Sequence, residues 1–190
     1  MMIGYNIDVD AILPLIPERS VGVEIGVGVG DTSERLLTRT RWLHLVDPWS
    51  LAAYEQAGEF GGIAGYIEHY AEHLGTRDPQ EIQRKFDAQY GYVSKRFVGK
   101  NVTIHRCRSQ DFWSDNGDAQ FDWAYIDGSH TFESCSADLY AAARVVRVIW
   151  GDDYNSGNPG VRHAVQRFVA ESNWKVTIIG RQQYRLVPPC

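Results

Sequence analysis

Four side chains able to move protons or bind a metal lie in two short segments of this chain, each at the end of an apolar run. Asp127 and His130 lie in Asp127-Gly128-Ser129-His130, and Asp152 and Asp153 in Gly151-Asp152-Asp153-Tyr154. Carboxylates gathered without a cation repel one another and raise each other's pKa. A hard divalent ion with oxygen ligands relieves this, and Mg2+ suits such a set. Asp127, Asp152 and Asp153 are therefore candidate metal ligands. An imidazole titrates near ~6.5, which suits removal of a proton from a hydroxyl at neutral pH. His130 is the candidate base, with Asp127 as its catalytic neighbour. A plainer reading has one Asp contacting a cofactor or capping a helix, the others facing water, and His130 capping the next helix or bonding Asp127.

A second cluster lies near the N-terminus. Val21–Ile25 is an apolar run interrupted by Glu24, followed by glycines at every second position, Gly26, Gly28 and Gly30. Glycines are needed where the backbone curls sharply and approaches a ligand closely. Asp31 and Glu34 have the spacing of a helix capping box, so a strand, a tight turn and a helix start are expected. Such a turn is where open α/β sheets bind nucleotides. A dinucleotide fingerprint begun at Gly26 would place its last glycine at Asp31, where a carboxylate would repel a pyrophosphate. Glu24, charged within a strand, needs a partner. Asp47, in Val46-Asp47-Pro48-Trp49, ends the next apolar run. There it is placed to accept hydrogen bonds from ribose hydroxyls.

These groups need a scaffold. Short apolar runs alternate with amphipathic ones, the signature of a mostly parallel sheet flanked by helices. Strands are expected at 21–25, 42–46, 101–106, 121–127, 145–150, 174–179 and 183–187, with the last two forming an antiparallel hairpin. Helical spacing links Phe132, Cys135, Leu139, Ala143 and Val146, and again Val161, Ala164, Val165, Phe168 and Val169. Residues 51–100 exceed one crossover helix. Their aromatics and the glycines Gly58, Gly61, Gly62 and Gly65 suggest two or more helices, serving as a lid, a dimer surface or packing on the sheet edge. Within them, His69-Tyr70-Ala71-Glu72-His73 matches an inverted zinc-protease motif, and surface histidines are the expected reading.

At 190 residues, one domain spanning 1–190 is expected. A hydrophobic share of 44% and a charged share of 23% are ordinary for a globular chain. A net charge of −5 without a dense basic cluster argues against a nucleic-acid face, and Arg106 and Arg108 read as scattered surface charge. Cys107, Cys135 and Cys190 show no metal spacing, which suggests a reducing, cytoplasmic setting. Neither a signal peptide nor a membrane span is expected. A small-molecule acceptor and a homo-oligomer fit this profile.

Glu24-x-Gly26-x-Gly28-x-Gly30 resembles the first motif of class I S-adenosylmethionine-dependent methyltransferases. Asp127-Gly-Ser-His130-Thr-Phe-Glu133, the Asp152-Asp153-Tyr154 turn, and Pro159-Gly160-Val161 leading to Phe168 resemble one branch of that family. This branch includes metal-dependent O-methyltransferases of macrolide and aminocoumarin sugars, some of which carry an acidic residue at the position of Ser129. The similarity runs from about residue 20 onward, except 51–100. It implies a Rossmann-like α/β fold, a seven-stranded mostly parallel sheet with a C-terminal antiparallel hairpin and a helical insertion between strands 2 and 3. It implies S-adenosylmethionine held by Glu24, Gly26, Gly28, Gly30, Asp47, Ser109 and Asp127, Ser109 meeting the adenine. It also implies Mg2+ on Asp127, Asp152 and Asp153. The rival readings are a nicotinamide-dependent oxidoreductase and a non-catalytic domain retaining the fold.

Overall fold

Ser20–Ile25 (β1) is buried along nearly its whole length, as expected of a strand covered on both faces. Its partners are Thr40–Val46 (β2) and Trp123–Ile126 (β4), both parallel to it. A computed structural model describes residues 9–54, 60–157 and 159–189. It contains one seven-stranded sheet in the order β3-β2-β1-β4-β5-β7-β6. The remaining strands are Val102–His105 (β3), Val148–Gly151 (β5), Lys175–Ile179 (β6) and Gln183–Val187 (β7). β7 lies antiparallel between β5 and β6. The chain moves outward from β1 through β2 and β3, then returns to β4 on the other side. That reversal puts a crevice at the carboxyl ends of β1 and β4.

Strand identities match the sequence reading, but several ends differ. The strand expected at 121–127 is confined to Trp123–Ile126, and the one expected at 145–150 begins at Val148. Val145 instead closes the helix Phe132–Val145 (α5), and Val146 is its extended C-cap. The helix expected around Val161–Val169 runs Pro159–Ser172 (α6). Cys190 and Gly58 lie outside the described residues.

Each face of the sheet has its own apolar core. Val23 and Ile25 face α5, α6 and the short helix Ser109–Asp115 (α4), among Phe112, Leu139, Val165 and Phe168. Leu43, Leu45, Trp123, Tyr125 and Trp150 face the other way, against Leu36, Val93 and Phe97. Gly22 is needed there because a Cβ would sit 2.2 Å from the Trp123 ring.

The insertion resolves into two helices, Ile63–Leu74 (α2) and Pro79–Arg96 (α3), preceded by a 3-10 turn at Leu51–Tyr54. Asp78 caps α3 by accepting the Gln80 N–H, and Pro79 occupies its first turn, where no amide hydrogen is missed. α3 is the crossover helix. Its Val93 joins the core of the sheet. Its Arg96 pairs with Asp31 and Glu34 of the helix Asp31–Leu37 (α1) at 2.6 and 2.7 Å. The expected capping box is therefore absent. Gly30, in the left-handed region, is the N-cap, and no side chain caps α1. α2 packs on the 3-10 turn and α3 through Tyr66, Ile67, Leu51 and Ile82. Its His69 and His73 are exposed.

Candidate active site

The three glycines of the loop after β1 all have positive φ: 87° at Gly26, 56° at Gly28 and 82° at Gly30. The reasons differ. A Cβ on Gly26 would lie 1.9 Å from the Asp127 carbonyl oxygen, so this glycine lets the loop touch the end of β4. A Cβ on Gly30 would strike Phe97 of the α3 C-cap at 2.7 Å. A Cβ on Gly28 would meet nothing within 4 Å, because this residue faces the cavity.

Asp47 shapes the same loop. Its Oδ2 accepts the Val27 and Gly28 N–H groups at 3.1 and 3.0 Å, and its Oδ1 accepts Trp49 N–H at 2.7 Å. Burial raises its pKa, and those three amides hold it back down. The residue expected to read ribose thus first organises the turn. Glu24 is fully buried on the same strand face as Tyr125, and neither carboxyl oxygen has a hydrogen bond of good geometry. Desolvation lifts its pKa to about 8, with Ser33 opposing the rise and the nearby Asp47 charge adding to it. The partner expected for a charge is thus replaced by a proton at neutral pH.

The acid cluster forms where β4 and β5 end. Asp127 N–H donates to Ile25 O at 2.9 Å, and Asp152 N–H to Ile126 O at 3.2 Å, so each residue caps its strand in line with the glycine loop. His130 Nε2 lies 2.8 Å from Asp153 Oδ2. Asp127, His130 and Asp153 each offer one ligand atom, all within 4.8 Å of one another. Asp152 stays beside Asp127 but has local partners. Its Oδ1 accepts Asp153 N–H at 2.8 Å, and the Tyr125 hydroxyl donates to its Oδ2 at 3.4 Å. The metal trio expected from sequence is therefore replaced, as a converging group, by one in which His130 stands for Asp152. Burial, then Asp152 and Asp153, push the Asp127 pKa well up. The hydrogen bond from His130 lowers that of Asp153.

Three further features of this rim were not anticipated. Thr131, not His130, caps α5, accepting Ser134 N–H at 3.1 Å. Gly160 is the reason for the Pro-Gly-Val stretch: a Cβ there would lie 2.2 Å from the His130 carbonyl oxygen, so α6 can press directly on the His130 backbone. Gln183, 4% exposed, lies one residue beyond the Gly151–Tyr184 rung, where the antiparallel register sets it against Asp152. Its amide has no hydrogen bond of good geometry, and its side chain lines the cavity. A glutamine opening a strand gives no sequence signal of a site; only the β5–β7 register brings it here. Ser109 opens α4 and lines the cavity, but its hydroxyl also supports buried Asp138, whose pKa burial raises to about 6.

Glu24 and Gly30 apart, the sequence-selected groups border one cavity of about 1790 Å3, which also reaches Tyr54, Phe60, Tyr66 and Phe86. That exceeds the roughly 300–1,000 Å3 of a single small-ligand site, so a cofactor and an acceptor have room together. The glycine loop that opens onto the cavity at Gly28, the cavity itself and the acidic surroundings fit a cationic sulfonium cofactor. A protein-family model described as "Methyltransferase domain" matches residues 23–154. The chain belongs to that methyltransferase family. It is an S-adenosylmethionine-dependent methyltransferase, which displaces the oxidoreductase reading. No curated protein matches it in sequence. Among solved structures it is similar to SMU.1697c of Streptococcus mutans in complex with SAH, at 12% identity and TM-score 0.60, covering 98% of this chain and 99% of that one. It is also similar to the N-methyltransferase NodS of Bradyrhizobium japonicum WM9 in complex with S-adenosyl-L-homocysteine (11% identity, 96% and 83% covered, TM-score 0.57). An rRNA methylase of Streptococcus thermophilus is a third (10% identity, 95% and 93% covered, TM-score 0.55). At these identities the likeness concerns the fold. Among the described residues, no helix is long and apolar enough to cross a membrane.

Proposed function

We propose that this methyltransferase modifies an oxygen of a small molecule, with a divalent cation beside the acceptor, in the manner of the sugar O-methyltransferases it resembles. The observation carrying this reading is the convergence of Asp127, His130 and Asp153 next to the glycine loop. S-adenosylmethionine supplies a methyl group already activated on its sulfonium, so the protein's part is chiefly alignment. In this reading Gly28 lets the main chain approach the cofactor, while Gly26 and Gly30 let the loop seat against β4 and the end of α3. Asp47 holds the loop and offers its remaining lone pairs to the ribose. Asp153, whose pKa the His130 hydrogen bond lowers, gives the pocket its negative charge, and Glu24 backs the glycine loop as a neutral buried acid. Ser109 lies at the adenine end, through its backbone more than its committed hydroxyl. With Nε2–H donated to Asp153, His130 receives the acceptor proton at Nδ1.

Asp127 and Asp153 are the first two candidate cation ligands; Asp152 completes the set when His130 serves as the base, and His130 completes it only in place of that role. A cation held there would lower the pKa of an acceptor hydroxyl. Two carboxylates with an imidazole suit Mn2+ or Zn2+, whereas three carboxylates suit Mg2+. Calorimetric Mn2+ and Mg2+ titrations of Asp152→Asn and His130→Ala variants separate the two sets. The acidic cleft and the net charge of −5 disfavour a polyanionic acceptor.

The test is SAH release from S-adenosylmethionine with hydroxylated small molecules, against total RNA as the competing acceptor. Turnover on small molecules, reduced at least about tenfold by chelator and restored by Mg2+ or Mn2+, is expected. Full activity after chelation removes the cation, and turnover on RNA alone removes the acceptor class.

A further inference from the structure

Trp49 combines features that a core tryptophan does not need. It is 1% exposed, yet its backbone sits at φ 40°, in the left-handed region that bulky residues avoid. Such a conformation persists only where surrounding bonds over-determine it. Here they do. Its N–H donates to Asp47 Oδ1 at 2.7 Å, and its indole Nε1–H donates to the Gly28 carbonyl at 2.9 Å. Its own carbonyl accepts from Arg106 at 3.0 Å and from Gln83 at 3.4 Å. Gln83 and Asp87 belong to α3. Arg106, at the end of β3, pairs with Asp87 and lies 4.7 Å over the Tyr90 ring, which in turn packs 5.3 Å from the Trp49 indole. Arg106, expected to be scattered surface charge, is therefore the bolt between α3 and the residue after Pro48.

We propose that Trp49 is a positioning residue of the cofactor site, passing the anchorage of α3 and Arg106 to the glycine loop through its indole N–H on Gly28. The inference rests on the cofactor assignment above and adds a route by which the crossover helix sets cofactor affinity. The direction follows from the bonds. Gly28 faces the cavity and has no Cβ to hold it, so its peptide is oriented from behind, by Asp47 on the amide side and Trp49 on the carbonyl side. α3 is thereby a strut of the site.

Trp49→Phe keeps an aromatic ring and deletes the N–H. Calorimetry with SAH is expected to show binding weakened about five- to tenfold, the usual consequence of one lost hydrogen bond, beside a lower thermal midpoint from the smaller buried ring. Arg106→Gln leaves the indole intact and loosens its support. The Trp49 indole resonance in a 15N correlation spectrum, assigned by its disappearance in Trp49→Phe, is expected to exchange faster with solvent in Arg106→Gln. SAH affinity should fall with it, and the two substitutions should be non-additive in combination. If Trp49→Phe binds SAH within twofold of wild type, or loses only thermal stability, the proposal is overturned. Should Trp49→Phe fail to fold, unchanged SAH affinity in Arg106→Gln overturns it equally. Absence of SAH binding by the wild type would instead sink the cofactor reading, and this inference with it.

Discussion

Two sets of carboxylates share one cavity and are treated in opposite ways. At the glycine loop, Asp47 is surrounded by main-chain N–H groups from Val27, Gly28 and Trp49, so its charge is spent on shape. At the rim of β4 and β5, Asp127 faces Asp152 and Asp153, and the basic side chain among them is His130. A carboxylate fed by donors is a rigid part, whereas one crowded by like charges attracts protons or cations. The difference suggests that the loop end binds and the rim reacts.

Substitutions can sharpen or break this contrast. Asp127→Asn should be the most damaging to turnover, by roughly 10^3-fold, as expected for loss of a group acting on the reacting atoms. SAH affinity in that variant should change much less. An equal loss of both would erase the distinction between the two ends. Gly160→Ala comes next. Its Cβ must displace the His130 main chain, and a shift of about 1 Å can cost about 10^2 in rate. Lower kcat with retained SAH binding is expected, and unchanged kcat would show that the His130 backbone is not critical.

Asp47→Asn tests the loop end. It turns an amide donor toward N–H groups, so SAH binding should weaken about tenfold while kcat at saturating cofactor is nearly kept. A pure kcat effect would contradict the assignment of roles. Glu24→Gln is the mildest. Folding raises the Glu24 pKa from 4.5 to about 8. Its protonated form therefore contributes stability that is full below pH 4.5 and is lost as pH rises through about 8. The variant lacks this dependence, so its thermal midpoint should gain on the wild type's progressively between pH 4.5 and about 8. Parallel curves would show that Glu24 is not a neutral buried acid.

How much of this was legible beforehand depended on whether the signal was local. The glycine loop and the strand ending in Asp47 were legible because backbone curvature and strand breaking are written in adjacent residues. The capping box at Asp31 and Glu34 misled, because the same carboxylates serve equally as partners for a distant arginine. Arg96 reaches them from a helix 62 residues on in sequence from Glu34. Asp152 illustrates the same limit at the site. Its neighbour Asp153 adopts φ 63°, and the Asp152 carboxylate bonds the Asp153 N–H and the Tyr125 hydroxyl, while His130 joins Asp127 and Asp153 in the converging trio.

The sequence by itself determined the alternation of strands and helices, the glycine turn, the acidic character of the cleft and the family of the chain, since periodicity and short motifs are properties of neighbouring residues. Only the tertiary structure decided that His130 converges with Asp127 and Asp153, that Gln183 stands against Asp152, and that Trp49 ties α3 to Gly28. Those relations depend on strand order, register and the packing of one helix across the sheet, and no local pattern encodes contacts between segments far apart along the chain.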